Sequence, residues 1–216
     1  MLEGRRQTRF ERAAVAAGLF GIVYVAFSIA TATGPSVGRL NPAHGVSFAV
    51  APGPVDPGDA TLAVWAVEAW KRVLGGSIRF MEVSDPGAAQ IRIEWAESAT
   101  GRFGEMQPTL VNGGRGAIVR IRPPGVGFGS TLGRRSAVDP VFRAIVIYLT
   151  CLHELGHALG LSHSDEYGDV MFDFADGGNV VAFFERYRRR VNTAIDIRRL
   201  VGLSSNDIRR VRELYP

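Results

Sequence analysis

The chain has 216 residues, enough for one domain with or without an appendage. Apolar residues make up 46% and charged residues 21%, which excludes a disordered chain. A single cysteine excludes an internal disulfide framework and any cysteine-built zinc or iron–sulfur cluster. The net charge of +4 is too small to argue for nucleic acid, although the pI is about 9.7 because every basic residue except Lys71 is arginine.

Residues 1–12 carry Arg5, Arg6, Arg9 and Arg12 against Glu3 and Glu11, and read as a basic cytoplasmic N-terminus. Residues 13–33 are uncharged throughout. As a helix they would span about 31 Å, one hydrocarbon thickness. The basic flank predicts the N-terminus inside and the remainder outside. Two readings stand, a retained transmembrane anchor and a cleaved signal peptide ending at the small-residue site Ala30-Thr31-Ala32. Length favours the anchor. Both place the rest of the chain outside the cytoplasm, membrane-anchored or secreted.

Residues 34–45 have the glycine, proline and asparagine of a linker. Residues 46–216 form the expected folded domain. Residues 46–51 suit a strand. Asp59 is the expected cap of a helix that runs to Leu74 and stops at Gly75-Gly76. Its Leu62, Trp65, Ala66, Ala69, Trp70 and Val73 share one face and read as core. Residues 78–83 suit a strand. Ile91, Ile93 and Trp95 alternate with Arg92 and Glu94, and Ala117, Val119 and Ile121 alternate with Ile118 and Arg120. Between these two runs, residues 100–115 read as glycine-rich and irregular; after the second, residues 123–136 read as loop. Asp139-Pro140 is a strong helix start, and the helix should run towards Gly160. After a loop to about Gly178, the tail from Val180 reads as helical, its last piece running from Leu203 to Tyr215. The order predicts an α+β fold with two main helices, a C-terminal helix and a small mixed or mostly antiparallel twisted sheet.

Residues 153–163 read His-Glu-Leu-Gly-His-Ala-Leu-Gly-Leu-Ser-His and hold three of the four histidines. His153 and His157 are four apart, so a helix places both imidazoles on one face. Glu154 points differently and is expected to act on water rather than bind the metal. Gly160 falls where the helix should end, at a turn calling for positive φ. That turn would return His163 as a third ligand. Three neutral imidazoles leave one position open on a zinc ion, the catalytic arrangement. Zinc lowers the pKa of water towards about 7 and polarises a carbonyl. Glu154 would take the water proton as general base and pass it to the leaving amine. The expected reaction is amide hydrolysis without a covalent intermediate.

The full pattern resembles the metzincin metallopeptidases, and Gly160-Leu161-Ser162-His163-Ser164 resembles the matrixin branch. The resemblance implies a tight turn below the zinc, for which Asp169-Val170-Met171-Phe172 is the candidate, with Met171 as its methionine. Leu203 to Ile208 and Leu214-Tyr215-Pro216 resemble the closing helix of that family. The implied activity is a zinc metalloendopeptidase with one catalytic ion. The implied partner is a protein or peptide substrate, with no nucleic acid, and a monomer is expected.

The chain departs from the family pattern in three places. With only His44 outside the motif, no second structural zinc is expected. Cys151 lies two residues before His153, points away from the metal face and reads as a buried apolar residue, so latency through a cysteine is not expected. The stretch from Phe174 to Gly202 is unusual and should lie near the wall that receives substrate. Calcium is common in the family; Asp165, Asp169, Asp173 and Asp176 are candidates by residue type, but their spacing supports only solvated loop carboxylates. Arg186, Arg188, Arg189 and Arg190 read as a solvated helix face, against contact with anionic lipid or with the acidic segment 137–182. A zinc-holding module of the same fold without turnover is the alternative function. A nucleic-acid enzyme is a third reading, since an exoribonuclease-like family uses three spaced histidines; that family lacks a glutamate directly after the first, and the expected export argues against it.

Overall fold

The computed structural model describes residues 38–53, 55–96, 103–124, 130–174 and 177–216. The apolar segment 13–33, with its anchor and signal readings, lies outside the described residues, as does Asp176. Among the described residues no helix is long and apolar enough to cross a membrane.

Five strands form one sheet in the order β2-β1-β3-β5-β4. Strand β1 (Val46–Val50) pairs in parallel with β2 (Phe80–Glu82) and with β3 (Ile91–Trp95). Strand β3 pairs in parallel with β5 (Gly114–Ile121), and β4 (Gly104–Val111) closes the edge antiparallel to β5. The sheet is therefore mixed but mostly parallel, and the mostly antiparallel alternative is corrected. The long connection through helix α1 (Pro57–Leu74) between β1 and β2 is what a parallel pair requires. Ile91, Ile93, Ala117, Val119 and Ile121 are buried on the core face. On the other face Glu94 bridges Arg92 at 2.9 Å and Arg120 at 3.3 Å.

The stretch expected to be irregular contains most of the β4–β5 hairpin. Its two-residue loop is Asn112-Gly113, both with positive φ (51° and 76°), between the paired Val111 and Gly114. Asn-Gly is the favoured pair for such a turn because its backbone twist matches the flanking strands. Pro108 is tolerated because β4 is an edge strand.

Helix α1 starts earlier than expected. Pro57 takes the first helical position after Asp56, and Gly75 ends the helix at φ 60°. Asp59, expected as the cap, instead lies inside the first turn, 1% exposed. Its carboxylate accepts two hydrogen bonds from Arg143, at 2.6 and 2.8 Å. Arg143 belongs to α3 (Pro140–Ala158), the longest helix among the described residues and almost entirely buried. As expected, Asp139 caps α3 by accepting from the Phe142 N–H at 3.0 Å. Trp70 of α1 is core and also donates its indole N–H to the Leu152 carbonyl at 3.1 Å, one residue before the motif.

Helix α2 (Ser130–Val138) occupies a region expected to be loop. Its glycine and serines give little intrinsic helical preference. Packing of Leu132 and the bonds of Arg135 to Asp139 (2.9 Å) and Glu185 (2.6 Å) hold it instead. Glu185 lies on α4 (Val180–Arg188), capped by Asn179 and packed on α3, where Phe184 meets Phe142 edge-on. Helix α5 (Ser205–Leu214) begins with a capping box in which Ser204 and Asp207 satisfy each other's backbone N–H groups. Of the tail arginines, Arg186 stacks on Phe183 and Tyr187, and Arg188 pairs with Asp139 at 2.8 Å. Arg189 and Arg190 are exposed.

Two outcomes follow from these ion pairs. Arg143→Ala leaves the buried Asp59 charge without its guanidinium and should destabilise the fold by about 3 kcal/mol in urea titrations. A loss under about 1 kcal/mol would mean the pair behaves like a surface bridge. Burial pushes the Asp139 carboxyl up, but the Phe142 N–H, Arg188 and Arg135 outweigh it and hold its pKa below the usual value. A lowered folded-state pKa stabilises the fold above the unfolded value near ~4 and loses that contribution as pH falls through the folded value. Asp139→Asn should therefore make stability fall less steeply below about pH 4; identical slopes would contradict this.

Candidate metal centre

The last two turns of α3 present His153 and His157 on one face. The helix then closes in a Schellman motif. The Gly160 N–H donates to the His157 carbonyl and the Leu161 N–H to the Gly156 carbonyl, both at 2.9 Å. Gly160 takes φ 101°, which a side chain would resist, and the chain reverses to bring His163 back.

The three imidazoles meet through their Nε2 atoms. His153 Nε2 stands 3.1 Å from His157 Nε2 and 3.2 Å from His163 Nε2, and a ligand atom from each of the three lies within 4.8 Å of the others. The opposite nitrogens are engaged elsewhere. His153 Nδ1 lies 2.7 Å from the Val170 carbonyl and His157 Nδ1 2.8 Å from the Leu161 carbonyl. Because carbonyls only accept, these Nδ1 atoms carry the protons and the Nε2 lone pairs face inward. His163 Nδ1 lies 2.7 Å from an Asp173 carboxylate oxygen. Burial, then the neighbouring His157 and His163, hold the His153 imidazolium well below its ordinary pKa. Burial, then His163, bring His157 down to about 4. Both rings are thus neutral near pH 7, the state that binds metal.

This donor set fits zinc. Nitrogen ligands about 2.0–2.1 Å from a tetrahedral centre stand about 3.3–3.4 Å apart, close to the two short Nε2 separations. The inward Nε2 lone pairs of His153 and His157, 3.1 Å apart, repel one another, and a cation between them removes that cost.

The turn below the histidines is tied to the rest of the domain. Met171 is fully buried, and its thioether fills the space that a Cβ on Gly156 would need. The Asp207 carboxylate accepts from the Val170 N–H at 2.9 Å and the Met171 N–H at 3.4 Å, linking α5 to the turn that orients His153. Asp169 is buried, in contrast to the expected solvated carboxylate. It accepts from Ser164, Ser204 and Asn206, because the turn folds back under the His163 loop. Asp173 is engaged with His163, whereas Asp165 is exposed.

Glu154 is 3% exposed and packs against the start of β4, where a Cβ on Gly104 would fall 2.6 Å from its Cγ and 2.8 Å from Oε1. Cys151 is buried and free, and burial pushes its thiol pKa up, which keeps it protonated. The stretch from Phe174 begins beside the site: its ring meets Phe172 and Phe183 edge-on, each at 5.1 Å, and Tyr167 at 6.3 Å.

Sequence reasoning missed Asp173 and Trp70 as supports of the centre, and nothing in their local spacing marks them. Asp207 had a signal, as the third helical residue of a capping box, but not one that named the turn as its second partner.

Comparison with known proteins agrees with this geometry. The family model described as matrixin matches residues 59–183. Over 110 residues the chain is 30% identical to a macrophage metalloelastase of Oryctolagus cuniculus, covering 50% of this chain and 22% of that protein. The chain thus matches only about a fifth of the relative's length. The family match takes in the first two histidines, the third and the methionine turn, and spans more than half of the 216 residues: the chain belongs to the matrixin family.

Proposed function

We propose that this chain is a zinc-dependent endopeptidase acting on proteins outside the cytoplasm, with His153, His157 and His163 as metal ligands and Glu154 as general base. The observation that carries the reading is the inward convergence of three Nε2 atoms whose partner nitrogens are held elsewhere. The metal, when bound, supplies a positive charge that acidifies water and polarises a substrate carbonyl.

The remaining work belongs to the chain. Glu154 follows the first ligand in the chain and is buried against the start of β4, which supports a fixed position for its carboxylate. It takes the proton of the attacking water and delivers it to the departing amine as the C–N bond breaks. Gly160 and Met171 serve as structural support, one by allowing the return of His163, the other by filling the floor under the two helical ligands. The aromatic segment from Phe174 supports a role in choosing the substrate side chain. The likeness to a metalloelastase supports a protein substrate. The basic flank and apolar run of residues 1–33 support export, by anchor or by signal.

Purified full-length chain, loaded with zinc, should cleave a denatured protein and lose that activity on chelation. Glu154→Ala should keep bound zinc and lose about 10²- to 10⁴-fold in kcat/KM. A Glu154→Ala chain that cleaves like the parent would overturn the role given to the glutamate. His157→Ala should lose both zinc and cleavage.

A further inference from the structure

The three histidines are not held by the same means. His153 and His157 ride on a buried helix, whereas His163 lies on a loop after a reversal, so other contacts must fix it. One contact comes from a residue outside the motif. Arg210 of α5 extends its Nη2 to the Ser162 carbonyl and the Ser162 hydroxyl, each at 2.9 Å, and to the His163 carbonyl at 3.1 Å. Ser162 is itself exposed, and Arg210 is half-buried over this loop. The ligand residue is therefore gripped at both ends, with Arg210 at its backbone carbonyl and Asp173 beside its ring.

We infer that Arg210 is a positioning residue for the third metal ligand. By pinning the carbonyls of Ser162 and His163 to α5, it keeps His163 Nε2 within reach of the two helical imidazoles. The inference rests on reading the three histidines as zinc ligands. All three contacts come from Nη2, which the planar guanidinium holds at a fixed position; a lysine ammonium has three donors of its own but carries them on a flexible stem, so it would hold the same loop less rigidly. The competing account is that Arg210 only docks α5. Arg212 provides the comparison. It lies on the same helix and donates its Nε to the Val73 carbonyl of α1 at 2.9 Å, well away in the chain from the histidine loop.

The test measures zinc affinity by competition with a chromophoric chelator on the full chain, together with metal-free thermal unfolding. The variants are Arg210→Ala, Arg210→Lys and Arg212→Ala. Arg210→Ala should bind zinc about 10- to 100-fold more weakly, as expected when a group orienting a ligand is removed. Arg210→Lys should fall between Arg210→Ala and the parent. Arg212→Ala should lower the unfolding midpoint and bind zinc as the parent does. Parent-like affinity in Arg210→Ala would overturn the inference, and so would an equal weakening in Arg212→Ala, which would show that helix docking alone matters. If Arg210→Ala does not fold, Arg210→Lys decides: weaker binding in a folded chain supports the positioning role, and parent affinity overturns it. A parent that binds no zinc would bring down the metal centre itself, an outcome distinct from any difference among variants.

Discussion

The constraint on which the structure turns is the crowding of three imidazole Nε2 atoms into one small volume. Left alone, inward lone pairs 3.1–3.2 Å apart repel, so each ring must be held in place by something other than its neighbours. The fold provides that hold at Nδ1, through the Val170 and Leu161 carbonyls and the Asp173 carboxylate. Neutral rings with a fixed tautomer are what a divalent ion needs, and burial lowers the pKa of His153 and His157 in the same direction.

These orienting groups belong to one connected device. Val170 sits in the methionine turn, and Asp207 of α5 binds the backbone of that turn. Asp169 joins the turn to Ser164, next to the third histidine, and to Ser204 and Asn206 at the start of α5. The C-terminal helix is thus a brace for the histidine cluster. Tyr215 at its end donates to the Leu159 carbonyl where α3 stops, and accepts from the Leu40 N–H before β1. On the other side, Trp70 anchors α1 to the backbone just ahead of His153. The buried carboxylates of this network, Asp169 and Asp207, are each satisfied by several donors, which is what makes a polar network under a buried site stable.

The convergence of the three histidines was legible in the sequence because it obeys local rules. Helical spacing joins His153 to His157, and a glycine at the helix end supplies the reversal towards His163. The cap at Asp139-Pro140 and the stop at Gly75 are local in the same way. What escaped was set by distant contacts. Asp59 resembles a cap by type, but its carboxylate is turned inward to Arg143, 84 residues away. Strand direction is decided by crossovers rather than by alternation, so a parallel sheet was not visible in residues 91–95. Helix α2 has weak intrinsic preference and exists through Arg135 and Leu132. The hairpin at Asn112-Gly113 is a different case: its signal was local, but the glycines around it pointed to irregular chain. Asp173 reached the third imidazole through a loop whose course no periodicity reports.

Zinc-edge X-ray absorption on the metal-loaded chain tests the central claim most directly. The account predicts three imidazole nitrogens and one oxygen at about 2.0–2.1 Å, with one imidazole fewer in His163→Ala. A shell containing sulfur, an all-oxygen shell, or an unchanged imidazole count in His163→Ala would contradict it.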